Sequence, residues 1–147
     1  MVTVATTYME MIYWNLDEPR GLFKDARVRN AMTMLLDRDG YAGKIHRGFY
    51  RPATTLIDPA MWGGDPALKP HPFDVAGAAR LLDEAGIKDR DGDGFRETAT
   101  GPMSFTVIYT AATPEHKEIA SLLEQSAAKA GVRVHLQGLE WPVMWEK

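Results

Sequence analysis

The sequence predicts a mixed α/β domain, and three observations carry that prediction. Met103, Phe105, Val107 and Tyr109 alternate with Ser104, Thr106, Ile108 and Thr110, the period-two pattern of a strand with one strongly apolar face. Ile119, Leu122, Leu123, Ser126, Ala127 and Ala130 then recur at helical spacing up to Gly131, and Val132, Val134 and Leu136 alternate with Arg133, His135 and Gln137. Strand, helix, one glycine and strand make a βαβ unit near the C-terminus, whose two strands are expected to be parallel. Upstream, Val28, Ala31, Met32, Leu35 and Leu36 form one apolar stripe at i, i+3, i+4, i+7 and i+8, an amphipathic helix expected over residues 25–38.

The remaining elements follow in order. Thr3 to Trp14 is rich in β-branched and aromatic residues with a period of two, and reads as a strand broken by residues 15–21. A short second helix is expected over residues 39–46. Residues 48–72 hold prolines and glycines without sustained periodicity, a long stiffened connection of the kind that carries function or wraps a surface. Asp74 has the side chain of an N-cap, Val75, Ala78, Ala79 and Leu82 supply the buried stripe of the next helix, and Gly86 stands where a left-handed residue ends it. Thr113 and Pro114 are an N-cap and first-turn proline for the crossover helix. Residues 139–145 start another apolar segment, whose two tryptophans are expected to need a packing partner. The reading is therefore of a single domain, residues 1–147, that is a piece of a longer protein.

Composition excludes several classes of function. The chain has 147 residues, 45% of them apolar and 25% charged, enough for a core and outside the disordered range. A formal net charge of −3, with no run of five like charges, gives no field for a phosphate backbone, so no nucleic-acid partner is expected. There is no cysteine, which removes disulfides, thiolate metal sites and thiol nucleophiles together. No apolar window approaches the roughly 20 residues that span a bilayer, and the start of the chain lacks the pattern of a signal peptide, so no direct membrane insertion is expected.

The residues that could carry chemistry are few. Asp89, Asp91 and Asp93 with Gly94 match the first half of an EF-hand-type loop, where alternate carboxylates converge on one hard cation. The carbonyl of Phe95 would be the next ligand. Thr100 stands where that pattern wants a bidentate acid, leaving Glu97 to reach the ion directly or through water. Structural calcium is one reading of the loop; a solvated acidic turn is the other. The four histidines, His46, His71, His116 and His135, have no metal-site spacing, and no nucleophile elbow, phosphate loop or dinucleotide fingerprint occurs. No enzyme activity and no required cofactor are expected. Arg27 and Arg29 read as a basic contact patch or as two solvent-facing side chains. Tyr13, Trp14 and Asn15 end the first strand, where open α/β sheets place ligand groups, and read either as substrate-binding or as core and cap residues. Met61 and Trp62 in the long loop join them as candidate substrate-binding positions.

Taken in order, YWNL, DARVRNAMTMLLDRDGY, RGFYRPATTLIDPAMWG, HPFDVAGAARLLDEAGIKDRDGDG, FTVIYT and EIASLLEQSAAKAGVRVHLQGLEW resemble the family of extracellular solute-binding proteins that feed oligopeptide and dipeptide ABC importers, family 5. The resemblance runs from about Tyr13 onward. It implies one lobe, the second, of a type II periplasmic-binding-protein-like fold, capturing a peptide or other small solute between two closing lobes and presenting it to a membrane permease. It also implies a periplasmic or membrane-anchored extracellular location, and an acidic loop that is a surface feature remote from the cleft. The competing reading is a calcium-stabilised structural or adhesive module built on residues 89–97.

Overall fold

The computed structural model describes residues 9–45, 47, 49–57 and 62–144. Helix α1 (Ala26–Met34) starts where Asp25 leaves helical geometry, φ −73° and ψ 122°, and its carboxylate accepts from the Arg27 N–H at 2.8 Å. The helix ends four residues before the expected position 38. Leu35 N–H divides between the carbonyls of Ala31 and Met32, Leu36 N–H falls back to Thr33, and the tightened turn ends the run while still burying Leu35 and Leu36. Asp37 then caps a fresh turn, α2 (Arg38–Gly40), which continues as a π-helix over Tyr41–Ile45. The short helix expected over residues 39–46 is thus an α-turn joined to a π-turn, with His46 outside the described residues.

Helix α3 (Val75–Glu84) is capped by Asp74, whose carboxylate accepts from Gly77 N–H at 2.8 Å. It buries Ala78 and Leu82 against α1. The two helices approach closely because Gly77 has no side chain: a Cβ there would stand 2.6 Å from the terminal methyl of Met34. Gly86 takes φ +80°, and Ile87 N–H returns to the Leu82 carbonyl at 2.9 Å to close the helix end.

A small antiparallel pair, β1 (Glu97–Thr98) and β2 (Gly101–Pro102), leads into the βαβ unit. Strand β3 (Ser104–Thr110) and β4 (Arg133–Leu139) are parallel, in register from Ser104 opposite Arg133 to Thr110 opposite Leu139. Helix α4 (Pro114–Lys129) connects them. Thr113 occupies its cap position but its hydroxyl makes no capping bond; Pro114, preset near helical φ, starts the helix instead. Val132 N–H closes the other end on the Ala127 carbonyl at 2.9 Å, with Gly131 at φ +77°. Residues 141–144 add a last turn, α5 (Trp141–Met144).

The core lies where α1, α3, α4 and the parallel pair meet. Met32, Leu35, Leu82, Met103, Leu123, Val28 and Val132 are its largest fully buried side chains, each contributing about 1.5–3 kcal/mol by leaving water. Residues 9–14 correct the expected first strand, because no strand forms there; the part over residues 3–8 lies outside the described residues. Alternation alone does not make a strand without a neighbouring edge to bond, and here Ile12 and Trp14 pack on the core from a segment with no ladder.

Candidate functional site

Trp14 stacks on Phe23 with ring centroids 4.8 Å apart, and both rings meet the edge or face of Phe105, at 5.9 Å and 5.1 Å. This trio fastens residues 9–16 to β3 and makes Trp14 largely a packing residue. Its neighbours turn outward. Tyr13 is 78% exposed, and the Asn15 carboxamide oxygen accepts from Asp17 N–H at 2.9 Å, a local turn that fixes the loop into residues 16–21. Trp62 is 100% exposed, so its indole rests on no other group, Tyr13 included. Met61 lies outside the described residues. Of the five positions expected to face a solute, Tyr13, Asn15 and Trp62 are open to solvent and Trp14 is half-buried.

Among the described residues, surface grooves of about 460 Å³ and 330 Å³ are found. The larger runs along α4 beside Lys117, Glu118, Ser121 and Leu122, and the smaller lies between Arg20, Asp25, Val28 and Arg90. Neither is lined by Tyr13, Trp14, Asn15 or Trp62.

The acidic loop is wired to itself. Asp89 accepts from the N–H groups of Gly92 at 2.7 Å and Gly94 at 3.0 Å, Asp91 from Asp93 N–H at 3.1 Å, Asp93 from Phe95 N–H at 2.7 Å, and Glu97 from Arg90 N–H at 2.8 Å. These bonds bring one carboxylate oxygen from each of Asp89, Asp91, Asp93 and Glu97 within 4.8 Å of the others. Such a donor set, all hard oxygen, fits calcium rather than a soft metal. A protein cation is also present: the Arg133 guanidinium pairs with Asp93 and lies 4.2 Å over the Phe95 ring.

Arginine is the residue type whose roles were least visible in the sequence. Arg27 pairs with its own cap residue Asp25 and donates to the Glu84 carbonyl at 2.6 Å; Arg29 donates to the carbonyls of Phe23 and Lys24 at 2.7 and 2.9 Å. Both bind loop and helix-end carbonyls, Arg27 from an exposed position and Arg29 from a half-buried one. Bonds from the Arg27 side chain and then its backbone N–H hold the Asp25 carboxyl below its ordinary value. Arg96 ties together three elements, donating to Ala130 O at 2.7 Å and Ile87 O at 2.7 Å and pairing with Asp83. Tyr41, buried, donates its hydroxyl to Glu10 at 3.2 Å, and burial followed by the nearby Glu10 charge pushes its phenol pKa up. Glu84 and Ala130, whose carbonyls Arg27 and Arg96 reach, lie 57 and 34 positions away in sequence, so no local pattern marked those bonds.

The described residues form a layered α/β unit with exposed aromatic side chains at Tyr13 and Trp62. Residues 1–147 match the family described as bacterial extracellular solute-binding proteins, family 5 Middle, and the chain belongs to that family. It is 28% identical over 146 residues to the oligopeptide-binding protein AppA of Bacillus subtilis, covering 98% of this chain and 27% of that protein. The structure of AppA in complex with a nonapeptide superposes with a TM-score of 0.82 at 29% identity, over 90% of this chain and 26% of that one. NikA from Brucella suis in complex with Fe(III)-EDTA superposes with a TM-score of 0.78, also at 29% identity, over 90% and 26% of the two chains. The chain thus spans about a quarter of the length of the relatives it matches. The mixed α/β fold expected from the sequence is the fold these proteins share with it.

Proposed function

We propose that the chain is one lobe of the substrate-binding component of an ABC importer, which captures a peptide or similar small solute by closing against a companion lobe and delivers it to a membrane permease. The observation that carries this reading is the superposition on a peptide-loaded relative over 90% of the chain. The family's description as extracellular supports a periplasmic or extracellular site of action. No described helix is long and apolar enough to cross a membrane, and transport would need the permease as partner. Tyr13, Asn15 and Trp62 are the residues proposed to face the solute, since they hold polar and aromatic groups in water where a ligand could replace it. Binding without chemical turnover accounts for what these relatives are named for. Peptides and metal chelates are both supported as solute classes, because one matched relative holds a nonapeptide and another Fe(III)-EDTA. Calorimetric titration of the full-length protein with a nonapeptide library tests the reading.

The acidic loop is proposed as an accessory. Its four converging oxygens favour a structural calcium ion that would tighten residues 89–97 without touching the solute. An adhesive module built on that loop is not favoured, because the family match runs through it from end to end.

A further inference from the structure

The residues at 53 and 71 stand 18 positions apart in sequence, yet one side chain bonds both. Arg38 donates from Nη1 to the Ala53 carbonyl at 3.1 Å and from Nη2 to the His71 carbonyl at 2.6 Å. Three residues past His71, Asp74 N–H bonds the Met34 carbonyl at 3.0 Å, so the returning chain is fixed to the same corner between α1 and α2. Arg38 itself is held firmly. Asp37 accepts from Gly40 N–H at 2.8 Å, and Tyr41 N–H bonds the Asp37 carbonyl at 2.9 Å, which sets the backbone from which the guanidinium projects.

We propose that Arg38 is a positioning residue for solute capture: it pins the two ends of the segment that carries Trp62, and so sets where that indole stands. The proposal rests on the solute-facing reading of Trp62 given above. Leu56 is 76% exposed and Trp62 entirely so, and apolar groups in water gain by collapsing onto any available surface. The described part of the segment has no helix or strand, so its placement depends on side-chain bonds such as those Arg38 makes at its two ends. A guanidinium suits the task because its planar fork reaches two carbonyls at once, whereas an ammonium on a flexible stem cannot span both in fixed geometry. The charge is half-buried for this purpose, and burial holds its pKa below the ordinary guanidinium value. Next to the pinned end, the Thr54 hydroxyl is buried without a hydrogen-bond partner, a conformation the segment would leave if it were released.

The test uses the full-length protein carrying nitroxide labels at Ala53→Cys and Lys69→Cys, with Arg38→Lys and Arg38→Gln as variants. Dipolar spectra should give one narrow inter-label distribution with Arg38 and a broad one in both variants, with the helical circular dichroism retained. Affinity for a random nonapeptide library should fall about fivefold to tenfold in Arg38→Lys. In a double-mutant cycle, Arg38→Lys should add little to Trp62→Ala, because a pin has no effect once the group it positions is gone. An unchanged inter-label distribution in a folded variant, or full additivity with Trp62→Ala, overturns the assignment. A wild-type protein that binds no peptide overturns the peptide-capture reading instead, while the label spectra still decide whether Arg38 is the pin.

Discussion

Nε of Arg96 donates to the carbonyl oxygen of Ala130 at 2.7 Å, joining the base of the acidic loop to the last turn of α4. The same side chain reaches Ile87 O just past α3 and the Asp83 carboxylate in its last turn, while Arg96 N–H bonds Gly131 O at 2.7 Å. One residue therefore closes the ends of two helices and the start of the small antiparallel pair. Arg96→Leu should cost about 2–4 kcal/mol in urea unfolding, because it leaves carbonyls and a carboxylate near the core without donors. Arg96→Lys should recover less than half of that loss, since an ammonium cannot reproduce the fork.

Two tryptophans should behave in opposite ways. Trp14→Ala removes a ring that stacks on Phe23 and meets Phe105 at nearly a right angle, and should destabilise by about 3–5 kcal/mol, whether or not solute is present. Trp62→Ala removes a ring that touches nothing in the free lobe, so the melting temperature should stay within a degree or so while solute affinity falls about tenfold. Differential scanning calorimetry alongside isothermal titration separates them.

Calcium should raise the melting temperature of the wild type and not that of Asp91→Ala, with solute affinity equal in the two. Because Arg133 pairs with Asp93, Arg133→Ala should make the calcium response larger rather than smaller. A calcium-dependent change in solute affinity would contradict the accessory role.

Stability should decline on the acid side through specific carboxylates. The folded-state pKa of Asp25 is held below its ordinary value of 3.8 by the Arg27 side chain and then the Arg27 N–H, and that of Glu18 below 4.5 chiefly by the Arg20 side chain. A depressed folded value means that the stabilisation is present in full above the unfolded value and is lost as pH falls through the folded one. Denaturation profiles should therefore steepen below about pH 4.5, and Asp25→Asn should flatten that limb while lowering stability at neutral pH.

The parts of the fold legible in the sequence are those built from local repetition. The stripes of Val28–Met32, Ala78–Leu82 and Leu123–Ala127 each became a buried helix face, and Gly86 and Gly131 took the left-handed geometry that ends two helices. The parallel pairing of β3 with β4 followed from the spacing between them. Residues 9–14 misled because period-two alternation marks a strand only where a neighbouring edge supplies the hydrogen bonds. Trp14 and Trp62 look alike in sequence and differ only through distant partners, Phe23 and Phe105 for one and none for the other. The bridges from Arg27 to Glu84, Arg38 to Ala53 and Arg96 to Ala130 join residues 57, 15 and 34 positions apart, a range that periodicity does not reach.

Mass spectrometry of the full-length protein, purified under native conditions and then denatured, addresses solute capture most directly. Release of stoichiometric short peptides or a comparable small solute, reduced in Trp62→Ala, is the result expected of a lobe that closes on cargo. Empty protein that also gives no heat with peptide libraries or metal chelates would contradict it.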